Sequence, residues 1–280
     1  MTGASLAVDV SKVQGRRTSP RADEVAVEEP LEIQLCSAAP AGAAAKSVSV
    51  TMRTPGNDAE LAAGFLYGES IIASRTQVRS IEHCGPPDAE TGFRNVIRVE
   101  LEPGVDLDLA RLERHFYTTS SCGVCGKASL DALRVAGQSS LAGVTTRFPR
   151  HRIVALPAKL REKQQVFSRT GGLHAAAVFA PDGEIVLARE DVGRHNAVDK
   201  VIGALLMADR LPAHEMGLLV SGRASFELMQ KALVAGLPLM AAVGAPSSLA
   251  VRLAQEFGIT LIGFLRGETF NIYSCASRLA

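Results

Sequence analysis

The sequence predicts an α/β chain, α+β when its two parts are taken together, and three observations carry that expectation. Short apolar runs in the first third alternate with period two, the mark of half-buried strands. After Pro149, apolar strands take turns with helical stretches, which argues for a layered α/β domain on a largely parallel or mixed sheet. With 47% hydrophobic and 21% charged residues among 280, the chain can bury a sizeable core, and its length suits two domains or one large domain with an appendage.

The elements follow in order. Residues 1–28 mix Ser, Gly, Arg, Pro and acids without periodicity, so a disordered tail is expected. Leu31-Glu32-Ile33-Gln34-Leu35 and Val48-Ser49-Val50-Thr51-Met52 alternate strictly and read as strands. Pro55-Gly56-Asn57-Asp58 is a turn that supplies an N-cap to a helix over 59–67. Strands at 78–83 and 94–101, parted by Gly85-Pro86-Pro87, complete a small α+β domain over 29–116. A Cys-x-x-Cys loop and linking helix over 117–148 lead into an α/β domain over 149–280. Its expected elements are a helix at 158–167, strands at 175–179 and 184–188, a helix at 197–208 and a strand at 217–220. A helix at 225–235, a strand at 237–243, a helix at 247–257 and strands at 260–265 and 270–273 complete it.

Charge and cysteine content exclude several classes. Lys and Arg number 30 against 29 acids, a net charge of +1, which argues against tracking nucleic acid or an anionic membrane by bulk electrostatics. Trp is absent and the ten Phe and three Tyr are scattered, so no stacking platform for single strands is expected. No apolar run approaches the ~18 residues that cross a bilayer. Arg16-Arg17 lacks the apolar region and cleavage site of an export signal, and a cytoplasmic location is expected. Five cysteines are odd in number and mostly isolated, which points to metal or thiol chemistry rather than a disulfide framework.

The one cysteine cluster is Ser120-Ser121-Cys122-Gly123-Val124-Cys125-Gly126-Lys127. Half of a zinc site, a dithiol redox pair, a sulfur-carrying thiol, or two cysteines buried at a packed turn would all fit a lone Cys-x-x-Cys. Zinc needs three or four ligands, and Cys84, His83, His174 and His195 would have to converge from distant segments. A zinc deaminase needs His-x-Glu with Pro-Cys-x-x-Cys; no His-x-Glu exists, and Ser121 stands where Pro should. Gly123 and Gly126 loosen the backbone, Lys127 lies two residues from Cys125, and residues 128–135 look helical. A nearby cation and a helix N-terminus both lower a thiol pKa, and a second thiol can release the sulfur that the first one carries.

The second dense stretch, Arg189-Glu190-Asp191-Val192-Gly193-Arg194-His195-Asn196-Ala197-Val198-Asp199-Lys200, opens a helix after an apolar strand. It reads either as a solvated helix start or as a polar site at a strand-to-helix crossover, where open α/β sheets place ligands. Gly171-Gly172-Leu173-His174 adds a backbone turn and an imidazole. Ser221-Gly222-Arg223-Ala224-Ser225 repeats the strand, turn and helix theme and suits an anion. Gly244-Ala245-Pro246-Ser247-Ser248 is a third such turn. Neither a P-loop nor a Rossmann fingerprint is present.

Taken together, Ser-Ser-Cys-Gly-Val-Cys-Gly-Lys, Gly-Gly-Leu-His-Ala-Ala, Glu-Asp-Val-Gly-Arg-His-Asn-Ala-Val-Asp-Lys, Ser-Gly-Arg-Ala-Ser-Phe-Glu and Gly-Phe-Leu-Arg-Gly-Glu-Thr-Phe-Asn-Ile-Tyr resemble the formate dehydrogenase accessory sulfurtransferase family, in order, from about residue 30 onward. The resemblance implies a sulfur carrier. A cysteine desulfurase would load a persulfide, and the carrier would pass its sulfur to bis(molybdopterin guanine dinucleotide) molybdenum cofactor for a formate dehydrogenase catalytic subunit. It also implies a homodimer whose C-terminal half is a cytidine-deaminase-like three-layer α/β domain lacking the zinc site, with no tightly bound metal of its own. Cys122 matches the persulfide cysteine and Cys125 its partner. Phe264, Leu265, Arg266, Gly267, Glu268 and Thr269 fall where the family places cofactor contacts. Asp191, Arg194, His195, Asn196, Arg223 and His174 are added to that pocket from the residue reading. The one departure noted is Gly244-Ala245-Pro246, where relatives are expected to carry Ser-Ala-Pro. A cofactor-binding chaperone without thiol chemistry is the competing reading, and a degenerate zinc hydrolase is a third.

Overall fold

The computed structural model describes residues 3–37, 45–105 and 138–280. Strands β1 (Ser5–Gln14) and β2 (Arg17–Ala26) form an antiparallel hairpin, so the segment expected to be a disordered tail is a ribbon. Gly15 at the turn has φ of 62°, the conformation that the first position of a two-residue hairpin loop asks for. The signal was hidden because almost no side chain of this ribbon is buried, and because Pro20 lies within its second strand.

Strands β3 (Glu29–Ser37), β4 (Lys46–Arg53), β5 (Val78–His83) and β6 (Val96–Leu101) form a sheet in the order β4-β3-β6-β5. Its central pair is parallel and its outer pairs are antiparallel. Helix α1 (Asp58–Gly68) covers one face with Leu61, Ala62 and Leu66 against Leu31, Ile33, Ile97 and Val99. Asn57 holds the N-cap position in a left-handed conformation, φ 58°, without a side-chain capping bond. Asp58, the next residue, is taken by Arg53, whose Nε and Nη2 donate to its two oxygens at 3.1 and 3.0 Å.

Three short helices precede the second sheet: α2 (Arg150–Ile153), α3 (Leu156–Lys163) and α4 (Gln165–Thr170). The single helix expected over 158–167 therefore breaks at Gln164. The cause lies 23 and 24 residues away in sequence. The Glu190 carboxylate accepts from the Val166 and Phe167 amides at 3.0 and 2.8 Å, satisfying the free N–H groups that open a new helix.

The remaining elements are β7 (His174–Phe179), β8 (Ile185–Asp191), α5 (Arg194–Met207), β9 (Gly217–Val220), α6 (Phe226–Val234), β10 (Leu239–Ala242), α7 (Ser248–Phe257), β11 (Thr260–Arg266) and β12 (Thr269–Ser274). The strands lie in the order β12-β11-β10-β9-β7-β8; β9, β10 and β11 are parallel, while the pairs at either end are antiparallel. Both faces are covered, as a parallel sheet requires. Leu218, Val220, Met240 and Leu261 pack toward the core that holds α5, α6 and α7. Leu219, Leu239, Ala241 and Ile262 pack toward Phe148, Ile153, Leu156 and Leu160 on the other side.

The N-terminal region expected to be a separate domain shares its core with the larger one. Helix α1 lies on α5, and two glycines let their backbones meet. A Cβ on Gly64 would sit 1.8 Å from the Asp199 carbonyl oxygen, and one on Gly203 would sit 1.8 Å from that of Glu60. Beside this seam the buried Lys231 ammonium lies 2.8 Å from Asp199 and 3.3 Å from Glu69, bridging α6, α5 and the end of α1. Burial raises the Asp199 carboxyl to about 6. Burial opposes charge on Lys231 too, but Asp199 and Glu69 outweigh it and raise that group.

Candidate functional site

The chain ends of β8, β9, β10 and β11 and the start of β7 share one edge of the large sheet, because β7 alone among these five runs the other way. Open α/β sheets bind ligands outside the carboxyl ends of their strands. Three turns at this edge lock together through their backbones. Gly244 N donates to Gly222 O at 2.9 Å, Ala224 N to Ala245 O at 3.2 Å, and Phe264 N to Gly244 O at 3.0 Å. Ser221 ties this shelf to β7: its amide donates to Ala175 O and its hydroxyl accepts from Ala175 N, both at 2.9 Å. The turns approach too closely for side chains, since a Cβ on Gly244 would lie 2.9 Å from Gly222 O and one on Gly263 2.8 Å from Pro246. Glycine at 244 is therefore compatible with the packed turn, although serine was the expected residue.

Several of the sequence-predicted residues meet on this shelf. His174 is half-buried next to Gly222, 3.4 Å from where that residue's Cβ would be. Burial and then Arg194 hold its imidazole below the usual range, with Asp191 opposing. His195 is pushed down to about 4 by burial, then Arg194 and Lys231. It is therefore a neutral imidazole at physiological pH, with Nε2 4.0 Å from a Glu227 oxygen. Arg223 is exposed ahead of α6. Phe264 is 42% exposed and has φ of 53°, a left-handed conformation unusual for an aromatic residue. Arg266, Gly267, Glu268 and Thr269 form the exposed turn into β12, and Gly267 has φ of 53° as that turn requires.

Other predicted residues face inward. Leu265 is fully buried in the core beneath the shelf, on the opposite side of β11 from Phe264. Asp191 is fully buried and its oxygens are taken by the protein: Lys200 Nζ lies at 2.7 Å, and the Thr54, Gly193 and Asn196 N–H groups donate to it. Asn196 also donates to Met52 O at 2.7 Å and accepts from Thr51 Oγ1 at 3.1 Å. These two side chains thus clamp the N-terminal sheet to the start of α5, an internal task that the sequence reading did not foresee. Glu190 points the other way and holds α4. Cys122 and Cys125, with the helix expected at 128–135, lie outside the described residues. Among the described residues no group of three His, Cys, Asp or Glu side chains could hold a metal ion.

Sequence reasoning missed a cleft of about 540 Å³ that opens beside His174 and Ser221. Its outer wall is α3 and α4, where the Arg161 guanidinium lies 4.1 Å above the Phe167 ring. Nothing in the local spacing pairs these two residues, because the break at Gln164 is what brings them together.

An open sheet with close-packed glycine turns and arginines at its strand ends, flanked by a cleft, places the chain among the layered α/β proteins. The particular family follows from comparison with known proteins. The sequence model of the FdhD/NarQ family matches residues 26–280, and the chain belongs to that family. It is 50% identical over 273 residues to the sulfur carrier protein FdhD of Streptomyces coelicolor, covering 97% of this chain and 94% of that one. The protein of the same name from Mycobacterium tuberculosis is 51% identical over 263 residues, 92% of each chain. That from Saccharolobus solfataricus is 42% identical over 271 residues, 97% of this chain and 96% of the relative. A crystal structure of a candidate formate dehydrogenase accessory protein from Desulfotalea psychrophila has the same fold, with a TM-score of 0.75 over 99% of this chain and all of the other, at 22% identity.

Proposed function

We propose that this chain is a cytoplasmic sulfur carrier for the formate dehydrogenase pathway. It takes persulfide sulfur from a cysteine desulfurase and delivers it to bis(molybdopterin guanine dinucleotide) molybdenum cofactor, which is its substrate. The observation that carries the reading is the shelf: an edge with exposed cations at Arg223 and Arg266 and a half-buried one at Arg194, suited to a large polyanion, in a chain whose relatives are named sulfur carriers. The N-terminus of α6 lies beside Arg223, where the Glu227 carboxylate takes its own amide, and Phe264 offers an apolar ring. Glu227 and Glu268 are the acids at the same edge. The two-strand edge of β8 and β7 next to three parallel strands supports a deaminase-like layer turned to another use.

The chemistry belongs to Cys122 and Cys125. The Cys122 thiolate attacks the terminal sulfur of the desulfurase persulfide; an S–S bond forms, and the desulfurase cysteine leaves as thiolate. Cys125 thiolate then attacks the Cys122 sulfur, which expels hydrosulfide and leaves a disulfide. The two electrons that reduce the carried sulfur come from the second thiol, and an external dithiol resets the pair. Hydrosulfide replaces an oxygen ligand on the metal, which leaves as water or hydroxide. We take the active form to be a homodimer.

The test is intact-mass spectrometry under non-reducing conditions after incubation with a cysteine desulfurase and cysteine. The expected result is a gain of one sulfur, lost on reduction and mapped to the Cys122 peptide. Cys122→Ala should keep the fold and cofactor binding, and leave formate dehydrogenase immature. Normal maturation by a Cys122/Cys125 double variant would instead establish a cofactor chaperone without thiol chemistry.

A further inference from the structure

The β1–β2 hairpin lies almost wholly ahead of the residues that the family model matches, although relatives aligned over 97% of this chain include most of it. Its register sorts its side chains, because directly opposed residues of an antiparallel pair share a face. One face carries Leu6 with Val25, Val8 with Asp23, Val10 with Arg21, Lys12 with Ser19, and Gln14 with Arg17. Lys12, Arg17 and Arg21 are exposed there toward the tip, and Arg16 adds a fourth cation in the turn. The one acid of this face, Asp23, sits near the base. None of the four cations is ion-paired among the described residues.

The base is anchored where the tip is free. Val27 N donates to Ala4 O at 3.0 Å, and Glu24, on the opposite face, is held by Arg169 at 3.2 Å and Ser5 at 2.9 Å. The ribbon thus projects a cationic end on a fixed root. We propose that this face docks an acidic surface of a protein partner. Residues 3–28 contain no Phe, Tyr or Trp, so the ribbon lacks both the rings that stack on bases and the aromatic anchors of a membrane interface. On the cationic face itself the apolar side chains Leu6, Val8, Val10 and Val25 lie toward the root, while Val13, on the opposite face, is exposed beside the tip. The inference does not depend on the thiol chemistry.

The test uses the full chain and a variant with Lys12→Glu, Arg17→Glu and Arg21→Glu. A control variant, Lys163→Glu with Arg210→Glu and Arg252→Glu, changes the same charge at other exposed sites. The probes are poly-L-glutamate, a DNA duplex and phosphatidylserine vesicles. Wild type and control should bind poly-L-glutamate with steep salt dependence, and the hairpin variant at least about tenfold more weakly. Equal binding by hairpin variant and wild type overturns the proposal. Tighter binding of DNA or vesicles than of poly-L-glutamate, lost in the hairpin variant, also overturns it. Should the triple Glu variant misfold, Lys12→Gln with Arg17→Gln and Arg21→Gln repeats the comparison. Loading of Cys122 by inorganic polysulfide, a donor that needs no docking, is read alongside. Its failure counts against the carrier reading and leaves the docking result standing.

Discussion

Replacing Gly203 by Ala sets two effects of opposite sign against each other. In an isolated helix interior the change stabilises by about 1 kcal/mol, because Ala loses less backbone entropy on folding. Here the added methyl would lie 1.8 Å from the Glu60 carbonyl oxygen and 2.8 Å from Gly64 N, where ordinary contact begins at 3.4 Å. Helices α1 and α5 must part by roughly 1.5 Å, and a gap of 0.5–1 Å already forfeits about a quarter to a half of the dispersion well. Leu61, Val201 and Ile202, all in the shared core, lose contact together. Overpacking of this kind costs about 1–3 kcal/mol before those losses, so packing outweighs propensity. The expected outcome is destabilisation by about 2 kcal/mol, a fall in Tm of roughly 4–8 °C for a chain of this size. Gly64→Ala should do the same, and the double variant should cost less than the two singles summed, since one contact is lost once. The assay is urea unfolding beside thermal denaturation, with Gly143→Ala, whose Cβ would meet nothing within 4 Å, as control. A Gly203→Ala protein as stable as wild type, or more so, would refute the seam.

Three further outcomes are expected. Lys200→Met should cost about 3–5 kcal/mol in urea unfolding by leaving the Asp191 carboxylate buried and unpaired, and Asp191→Asn added to it should restore part of that loss. His195 ordinarily titrates at 6.5 but in the fold only at about 4. The unfolded chain therefore binds the extra proton between these values, and stability falls as pH drops from 6.5 toward 4, with no effect above. His195→Gln should narrow the difference in urea midpoint between pH 7 and pH 5, and an imidazole NMR titration should place the midpoint near 4. Arg223→Glu should weaken binding of the molybdenum cofactor about tenfold, checked by titration, while Tm stays unchanged because the side chain is exposed.

Parts of this fold were legible because their causes are local. The alternation of Leu31, Ile33 and Leu35 needs only one buried face, and that face is the core. The rhythm of β9, α6, β10, α7 and β11 is written in apolar runs and turn residues, and so was the edge where Ser221, Gly244 and Phe264 meet. The side of each motif residue was a different matter. Period two would put Leu265 on the face of Leu261, but an irregularity between Gly263 and Arg266 turns it into the core that holds Ile262 and leaves Phe264 exposed on the shelf. Glu190 and Asp191 likewise part to opposite faces, one holding α4 and the other Lys200.

By itself the sequence determined the alternating pattern, the cysteine pair, the charged motif and, through them, the family. Tertiary structure alone decided that the two regions share one core, that a helix breaks at Gln164 to open a cleft, and that the first residues form a ribbon. The physical reason is reach. Gly64 and Gly203 are far apart in the chain and meet only when two helices dock, and the Glu190 carboxylate of the edge strand reaches the Val166 amide only once the chain has folded back. Contacts between segments distant in sequence leave no local period to read.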